Sequence, residues 1–169
     1  MTRFKVLSVA TAIALSSTGP VRAQEPGEAA FRSLFKEMVE IDSSMESGSC
    51  TPVIEKLVAR MKAAGYPAHN LHVFVPPSDA KAGILVAVYP GRDPKLKPVL
   101  MLGHVDVVNA RRADWTRDPY KLIEEGGYFY ARGVADMKAQ DAIWADNLLR
   151  YNAEKYKPLR TIKMALTCG

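Results

Sequence analysis

The stretch Val99-Leu100-Met101-Leu102-Gly103-His104-Val105-Asp106 is the part of the sequence that decides the fold. Its first four residues form a continuous apolar run, which predicts a strand buried on both faces of a sheet. Side chains two apart in a strand point to the same side, so His104 and Asp106 should lie together where the strand ends. A metal-bound imidazole commonly donates its second N–H to a carboxylate. The pair is therefore a candidate metal ligand with its orienting carboxylate, and a structural histidine bonded to a nearby loop is the alternative.

The rest of the sequence predicts an α/β fold around this strand. Apolar residues recur at helical spacing in 31–38 and 54–61, and 136–154 has helical composition. Thr51 is expected to cap the second helix, with Pro52 in its first position. Short runs rich in β-branched residues predict strands at 71–75 and Ile84–Tyr89. Tyr128–Tyr130 and 161–166 are two further predicted strands. This order predicts one domain over residues 24–169, with a mostly parallel or mixed, mostly buried central sheet flanked by helices.

The first 23 residues have the pattern of a secretory signal peptide. Arg3 and Lys5 precede a short apolar stretch, and Val21-Arg22-Ala23 offers a cleavage site. The apolar stretch is shorter than the roughly 20 residues of a membrane span, which disfavours the alternative of an anchor. This segment carries three basic and no acidic residues of a chain whose formal net charge is +5. The basic balance therefore gives no argument for a nucleic-acid partner. We expect a secreted protein, in a bacterial periplasm, that stays off the membrane after cleavage.

The chain has only two cysteines, Cys50 and Cys168. An oxidising compartment would permit a disulfide between them. Two cysteines so far apart in the sequence are weak evidence for one, so two separate thiols are an equally good interpretation.

Asp136 is the second candidate ligand. It follows Arg132-Gly133 and is predicted to open a helix, where a carboxylate also has the simple role of a cap. The surrounding order is more specific: Gly103 to Val108, then Trp115 and Asp118-Pro119, then the run from Gly126 to Lys138. This order resembles the M20 family of zinc-dependent exopeptidases and amidohydrolases over nearly the whole chain after residue 23. The resemblance is strongest from Val99 to Lys138.

The resemblance implies a truncated zinc-exopeptidase-like catalytic domain with roles for three residues. His104 would ligate one zinc ion, Asp106 would be the catalytic residue that orients His104, and Asp136 would bridge two zinc ions. The resemblance also implies that the Asp136–Met137 peptide bond is cis, as the corresponding bond often is in the family. The implied activity is zinc-dependent hydrolysis of C–N amide bonds in small peptides or N-acyl amino acids, of exopeptidase or carboxypeptidase type. Another divalent metal can replace zinc in such sites, and a homodimer through the family's lid domain is a further implication.

In the family, the strand that matches residues 161–166 leads into two adjacent glutamates, a general base and a zinc ligand. Here Thr167-Cys168-Gly169 follows that strand. We therefore expect the base just after Gly169 and predict that this chain alone is an incomplete, inactive portion of the enzyme. Two alternatives stay open: a non-catalytic fragment, or a binding or scaffold module of M20-like ancestry.

Other candidate residues are weaker. His69 and His72 are spaced as a His-x-x-His pair, but two surface histidines are the simpler interpretation. Arg132 and Lys138 are expected to be solvated or structural, and Trp115 is expected to pack within its loop rather than to stack on a substrate. The sequence contains no Gly-rich phosphate loop and no G-x-S-x-G motif.

Overall fold

The computed structural model describes residues 27–169, so the predicted signal peptide lies outside the described residues. Three α-helices and six strands, with short helical turns between some of them, follow one another along the described chain. The helices are α1 Glu28–Val39, α2 Thr51–Ala63 and α3 Ala139–Ala153. The strands are β1 Leu71–Phe74, β2 Ile84–Tyr89, β3 Val99–His104, β4 Ile123–Glu125, β5 Tyr128–Tyr130 and β6 Ile162–Thr167. None of the helices in residues 27–169 is both long and apolar enough to cross a membrane.

A mixed four-stranded sheet has the order β1-β2-β6-β3. Strand β6 runs antiparallel to β2 and parallel to β3, in a register that pairs His104 with Thr167. The last strand in the sequence therefore lies between two earlier ones and brings its C-terminal end beside that of β3. The predicted α/β class with a mixed sheet flanked by helices is confirmed.

One hydrophobic core joins the three helices to the sheet. Alternate residues of β2 are buried, which is the period-2 pattern of a strand with one covered face. The apolar stripes of the helices meet this face. The fully buried side chains include Leu34, Ile54, Leu57, Met61, Leu85, Leu148, Met164 and Leu166.

The prediction that β3 is buried on both faces is wrong for the described residues. Val99, Leu100 and Leu102 are 46%, 58% and 60% exposed. The reason is position, because β3 is an edge strand of the described sheet and only β6 pairs with it. The apolar run indicates a strand correctly, but composition alone does not say which face is covered.

Two predicted details at helix starts are also wrong. Thr51 is the first residue of α2 and does not cap it, since its hydroxyl donates to the Ala80 carbonyl at 2.7 Å and accepts from the Gly83 N–H at 3.0 Å. Helix α3 begins at Ala139 and not at Asp136. Asp136 has φ −124° and ψ 99°, an extended conformation that cannot belong to a helix.

Strands β4 and β5 form a separate hairpin, of which the sequence pattern predicts only β5. Its turn is Gly126-Gly127, with φ of 60° and 82°. Positive φ at both central residues is the geometry of the hairpin turn that favours glycine.

Cys50 and Cys168 form a disulfide, with 6.0 Å between their Cα atoms. The two residues are 118 apart in the sequence. The bond ties the start of α2 to the residue after β6, so of the two interpretations that the sequence left open, the paired one holds.

Candidate metal centre

The C-terminal end of β3 fixes the position of His104. The next residue, Val105, is fully buried, and its N–H donates to the Thr167 carbonyl at 2.9 Å. The Val105 carbonyl accepts from the Ser43 hydroxyl at 2.6 Å. Hydrogen bonds on both sides of Val105 therefore fix the backbone after β3, and this fixes the positions of His104 and Asp106.

His104 and Asp106 lie together, as their spacing predicts. His104 Nδ1 is 3.2 Å from Asp106 Oδ1. The same Asp106 oxygen accepts from the Gly169 N–H at 2.8 Å. His104 Nδ1 also lies 3.3 Å from the Asp106 carbonyl oxygen, and an imidazole that donates from Nδ1 to either oxygen of Asp106 keeps the lone pair of Nε2 for another partner.

Asp136 lies beside this second imidazole nitrogen, with its Oδ1 3.3 Å from His104 Nε2. Two ligands that each lie about 2.0–2.1 Å from one tetrahedral zinc ion are separated by about 3.3 Å. The two atoms are therefore spaced as ligands of a shared ion. The Asp136 side chain is 85% exposed and remains open to further ligands.

The turn before α3 presents Asp136 to His104. Gly133 has φ of 81°, and a Cβ atom there would meet the Val107 side chain at 2.6 Å. The Gly133 carbonyl accepts from the Lys138 N–H at 3.1 Å. The Asp136–Met137 peptide bond within this turn is cis, as the resemblance implied.

Lys138 anchors the turn from inside the protein. Its side chain is fully buried, and its ammonium group donates to the carbonyls of Met38 and Ile41, at 2.9 and 2.8 Å. Burial lowers the pKa of Lys138 to about 8, against the opposing effect of Asp42 and Asp141. The expectation of a structural role fits this position, and that of a solvated one does not.

Sequence reasoning missed Asp141, a fully buried carboxylate beneath the site. Neither of its oxygens has a hydrogen-bond partner among the described residues. Burial raises its pKa to about 7, and His104 and Lys138 oppose that rise. A Cβ atom at position 103 would collide with Asp141 Oδ1, so glycine is needed there. The signal was available, since Asp141 continues the inward stripe of Trp144, Leu148 and Tyr151 at spacings of three and four residues.

A cleft of about 410 Å³ opens over the pair of candidate ligands. It is lined by His104, Asp106 and Asp136 together with Trp115, Tyr130 and Arg132. The Arg132 guanidinium lies 5.2 Å from the centre of the Trp115 ring, so the predicted loop packing of Trp115 occurs at the wall of the cleft.

His69 and His72 are exposed and belong to no such cluster. Among residues 27–169, no three His, Cys, Asp or Glu side chains are placed to hold one metal ion together. The described chain thus brings two candidate ligands together, with Asp106 behind one of them.

Comparison with known proteins agrees with this geometry. Residues 100–169 match the model of Peptidase family M20/M25/M40. Human aminoacylase-1 is 34% identical over 82 residues, which is 48% of this chain and 20% of that protein. Acetylornithine deacetylase of Dictyostelium discoideum is 29% identical over 153 residues, which is 82% of this chain and 34% of that protein. The chain therefore spans about a fifth to a third of the length of these relatives.

Solved structures support the fold. Human carnosine dipeptidase 1 superposes with a TM-score of 0.65 at 24% identity, covering 84% of this chain and 32% of that one. The M20 family metallo-carboxypeptidase Sso-CP2 of Sulfolobus solfataricus gives 0.63 at 15% identity, covering 81% and 30%. Residues 100–169 are thus similar in sequence to the M20 family, and the fold is similar to that of its solved members over about a third of their length.

Proposed function

We propose that the protein is a zinc-dependent hydrolase of C–N amide bonds in small peptides or N-acyl amino acids. Residues 24–169 would form the N-terminal part of its dizinc catalytic domain. The observation that carries the proposal is the 3.3 Å between His104 Nε2 and Asp136 Oδ1, with Asp106 on the other imidazole nitrogen. Relatives named as an aminoacylase and an acetylornithine deacetylase support the substrate class.

Each residue has one task in this proposal. Asp106 accepts the Nδ1–H of His104, which fixes the tautomer and makes Nε2 the donor atom. His104 and Asp136 would hold the metal, and the exposed side chain of Asp136 would be accessible to a second ion. Zinc bound in such a site lowers the pKa of a water molecule and polarises the scissile carbonyl. The cleft beside the ligands gives a small amide substrate room to reach them.

The proposal extends to the chain by itself, which we expect to be inactive. Four-ligand structural sites gain about 10–16 kcal/mol of apparent binding energy, and two ligands should hold zinc far more weakly. The purified 24–169 chain should show no zinc-dependent amide hydrolysis. Measurable turnover of an N-acetyl amino acid by that chain would contradict this part of the proposal.

The deciding experiment uses the longer protein of which this chain would be a part, loaded with zinc. We expect it to bind zinc and to hydrolyse N-acetyl amino acids or dipeptides. His104→Ala should abolish both properties, whereas His69→Ala, at an exposed histidine outside the site, should change neither. A folded, zinc-loaded protein without hydrolytic activity would refute the enzyme, and full activity of His104→Ala would favour a scaffold role for the site.

Residues 1–23 are proposed to direct secretion to the periplasm, where the disulfide can form. Mass spectrometry of the exported protein should find a chain that begins at Gln24. Retention of the first 23 residues in the exported protein would contradict cleavage.

A further inference from the structure

Six cationic residues lie at the end of the sheet opposite the candidate metal centre. The segment after β2 and the segment before β6 meet there, since the Arg92 N–H donates to the Pro158 carbonyl at 2.8 Å and the Asp93 N–H donates to the Leu159 carbonyl at 3.0 Å. All six cationic residues are exposed. We call this surface the basic face, and its members are Arg92, Lys95, Lys97, Lys155, Lys157 and Arg160.

The net charge of the chain hides this concentration of positive charge. Residues 90–98 and 155–160 contain the six cations and one acid, Asp93, so together they carry +5. Residues 24–169 as a whole carry only +2, which leaves −3 for the remainder of them. None of the six cations forms an ion pair with a carboxylate of residues 27–169. A surface on which so much charge of one sign is left unpaired favours an anionic partner.

Apolar side chains stand among these cations. Tyr156 is 49% exposed and Leu159 is 54% exposed. Both have a fixed backbone, because the Tyr156 carbonyl accepts from the Tyr89 hydroxyl at 2.6 Å and the Leu159 carbonyl accepts from Asp93. Surfaces that bind at a membrane interface combine these residue types. Their lysines and arginines contact the headgroups, and their aromatic and leucine side chains enter the boundary with the acyl chains.

A small cleft in the basic face suits a phosphate group. Its volume is about 240 Å³, and its lining includes Lys155, Lys157 and the amide side chains of Asn70 and Asn152. The Asn152 amide donates to the Gly65 carbonyl at 3.3 Å and has a second N–H to offer. No carboxylate belongs to the described lining. Charged N–H donors bind phosphate oxygens more strongly than neutral ones, so the two lysines would supply most of the attraction.

We propose that the basic face docks the protein on an anionic phospholipid surface. Such a membrane carries a negative surface potential that attracts clusters of lysine and arginine. A single-stranded nucleic acid is the other large polyanion to consider, but it is bound largely by stacking on several aromatic rings. The basic face has one exposed ring, that of Tyr156, beside a leucine. Lipid therefore fits the surface better than nucleic acid does.

The proposed contact is peripheral and reversible, so it requires no membrane anchor. It replaces the expectation that the protein stays off the membrane after cleavage. It is also independent of the proposed hydrolase activity, because it uses no residue of the candidate metal centre.

The docked orientation leaves the candidate metal centre open to water. Strands β3 and β6 run parallel, from Val99 and Ile162 near the basic face to His104 and Thr167 at the candidate centre. Six residues of extended strand span about 17 Å. The cleft beside His104 therefore faces away from the lipid, and a small solute can reach it while the protein is docked.

Vesicle co-sedimentation tests the proposal. The chain from residue 24 onward is used, because the apolar stretch within residues 1–23 would itself bind lipid. Vesicles of phosphatidylcholine alone are compared with vesicles of phosphatidylcholine and phosphatidylglycerol in equal parts. We expect at least about tenfold tighter binding to the anionic vesicles at low salt, with a difference that shrinks as salt is added. Equal binding to both kinds of vesicle, or no binding to either, would overturn the proposal.

Matched variants separate the position of the charges from their number. Removing three cations from the basic face should weaken binding to anionic vesicles about 10–100-fold, since each lysine or arginine near anionic lipid strengthens binding about fivefold. This variant is Lys155→Gln, Lys157→Gln, Arg160→Gln. Removing three exposed cations that lie outside the basic face should leave binding nearly unchanged. This control is Lys56→Gln, Arg111→Gln, Lys121→Gln.

An equal loss of binding in the two triple variants would overturn the proposal, because net charge alone would then explain it. Circular dichroism checks that both variants fold, and if the first does not, the two kinds of vesicle still decide the question with the parent chain. Leu159→Ser keeps every charge and should weaken binding several-fold through the lost apolar contact. Unchanged binding of Leu159→Ser, or release of the parent chain from anionic vesicles by single-stranded RNA at equal phosphate concentration, would identify a general polyanion surface and overturn the assignment to lipid.

Discussion

At the residue scale, the contacts of one imidazole nitrogen determine what the other can do. His104 Nδ1 faces Asp106, and the Gly169 N–H holds the same carboxylate oxygen. Nε2 then faces Asp136. In the proposed metal centre, this arrangement would make Asp106 a positioning residue, because it contacts the imidazole nitrogen on the side away from Asp136.

Replacing Asp106 by Asn in the zinc-binding form of the protein should weaken zinc binding about 10–100-fold. The amide keeps the shape of the side chain but presents no anionic acceptor to His104 Nδ1. The measurement is competition with a chelator of known affinity. The matched control is Asp93→Asn, since Asp93 is a half-buried acid outside the candidate site whose carboxylate accepts from the Lys95 N–H. An unchanged zinc affinity of Asp106→Asn would show that Asp106 does not act through His104.

Asp141 makes stability depend on pH in a direction that can be worked out. Burial raises its pKa from 3.8 to about 7, so between these values the folded chain holds a proton that the unfolded chain has released. The contribution of Asp141 is therefore most favourable below about pH 4, and the free energy of unfolding falls as the pH rises to about 7.

Asp141→Asn should accordingly be more stable than the parent at pH 8, by about 1–3 kcal/mol, because it removes a buried unpaired charge. The difference should disappear near pH 4. Urea denaturation with EDTA present measures both values, and the exposed Asp79→Asn serves as the control. A pH-independent difference between Asp141→Asn and the parent would rule out ionisation of Asp141 as the cause.

At the scale of elements, local residue patterns predict individual helices and strands. The helical spacing of Leu34 and Met38 and the β-branched run of β2 give α1 and β2 directly, because each buries one face against the core. The three-residue strand β4 escapes prediction because two of its residues are glutamates. Its pairing comes from the Gly126-Gly127 turn and from β5, which lie outside any pattern in β4 itself.

The contacts of the candidate site also fall into two groups, those that local spacing predicts and those that depend on the whole fold. His104 and Asp106 are brought together by local spacing, and the sequence predicts their contact. The contact between His104 and Asp136 depends on β3, on the extended conformation of Asp136 and on the buried anchor Lys138. Only the resemblance to the family predicts the contact between His104 and Asp136, because no local pattern links two residues so far apart.

The exposed apolar edge of β3 leads to a prediction about self-association. An unpaired apolar edge strand is a template for pairing with another chain. Leu102→Lys in the 24–169 chain should reduce association, measured by light scattering, and should change the free energy of unfolding by no more than about 0.5 kcal/mol. Leu166→Lys, at a fully buried position in neighbouring β6, should unfold the chain. Unchanged light scattering for Leu102→Lys would mean that the β3 edge does not drive association.

At the scale of the whole molecule, one covalent bond joins the core to the candidate site. Cys50 directly precedes α2, and Cys168 directly precedes the glycine whose N–H donates to Asp106. The backbone N–H groups of Cys50 and Thr51 both reach the Lys81 carbonyl, at 2.9 and 3.2 Å. The disulfide therefore fixes a point where the segment after β6, the start of α2 and the loop before β2 meet.

Removing this bond should lower the stability of the whole domain. The chain-entropy account gives about 4–5 kcal/mol for a loop of about 100 residues, and native bridges typically contribute about 2–5 kcal/mol. The double variant Cys50→Ala, Cys168→Ala should therefore lose about 2–5 kcal/mol of unfolding free energy in urea.

A reductant should destabilise the parent by a similar amount and leave the double variant unchanged, since the chain has no other cysteine. Equal stability of the parent and the double variant would show that the long loop between the cysteines is already closed in the unfolded ensemble by other contacts. Zinc affinity should fall together with stability in the double variant. The reason is that the disulfide no longer fixes residue 168, next to the Gly169 N–H that donates to Asp106.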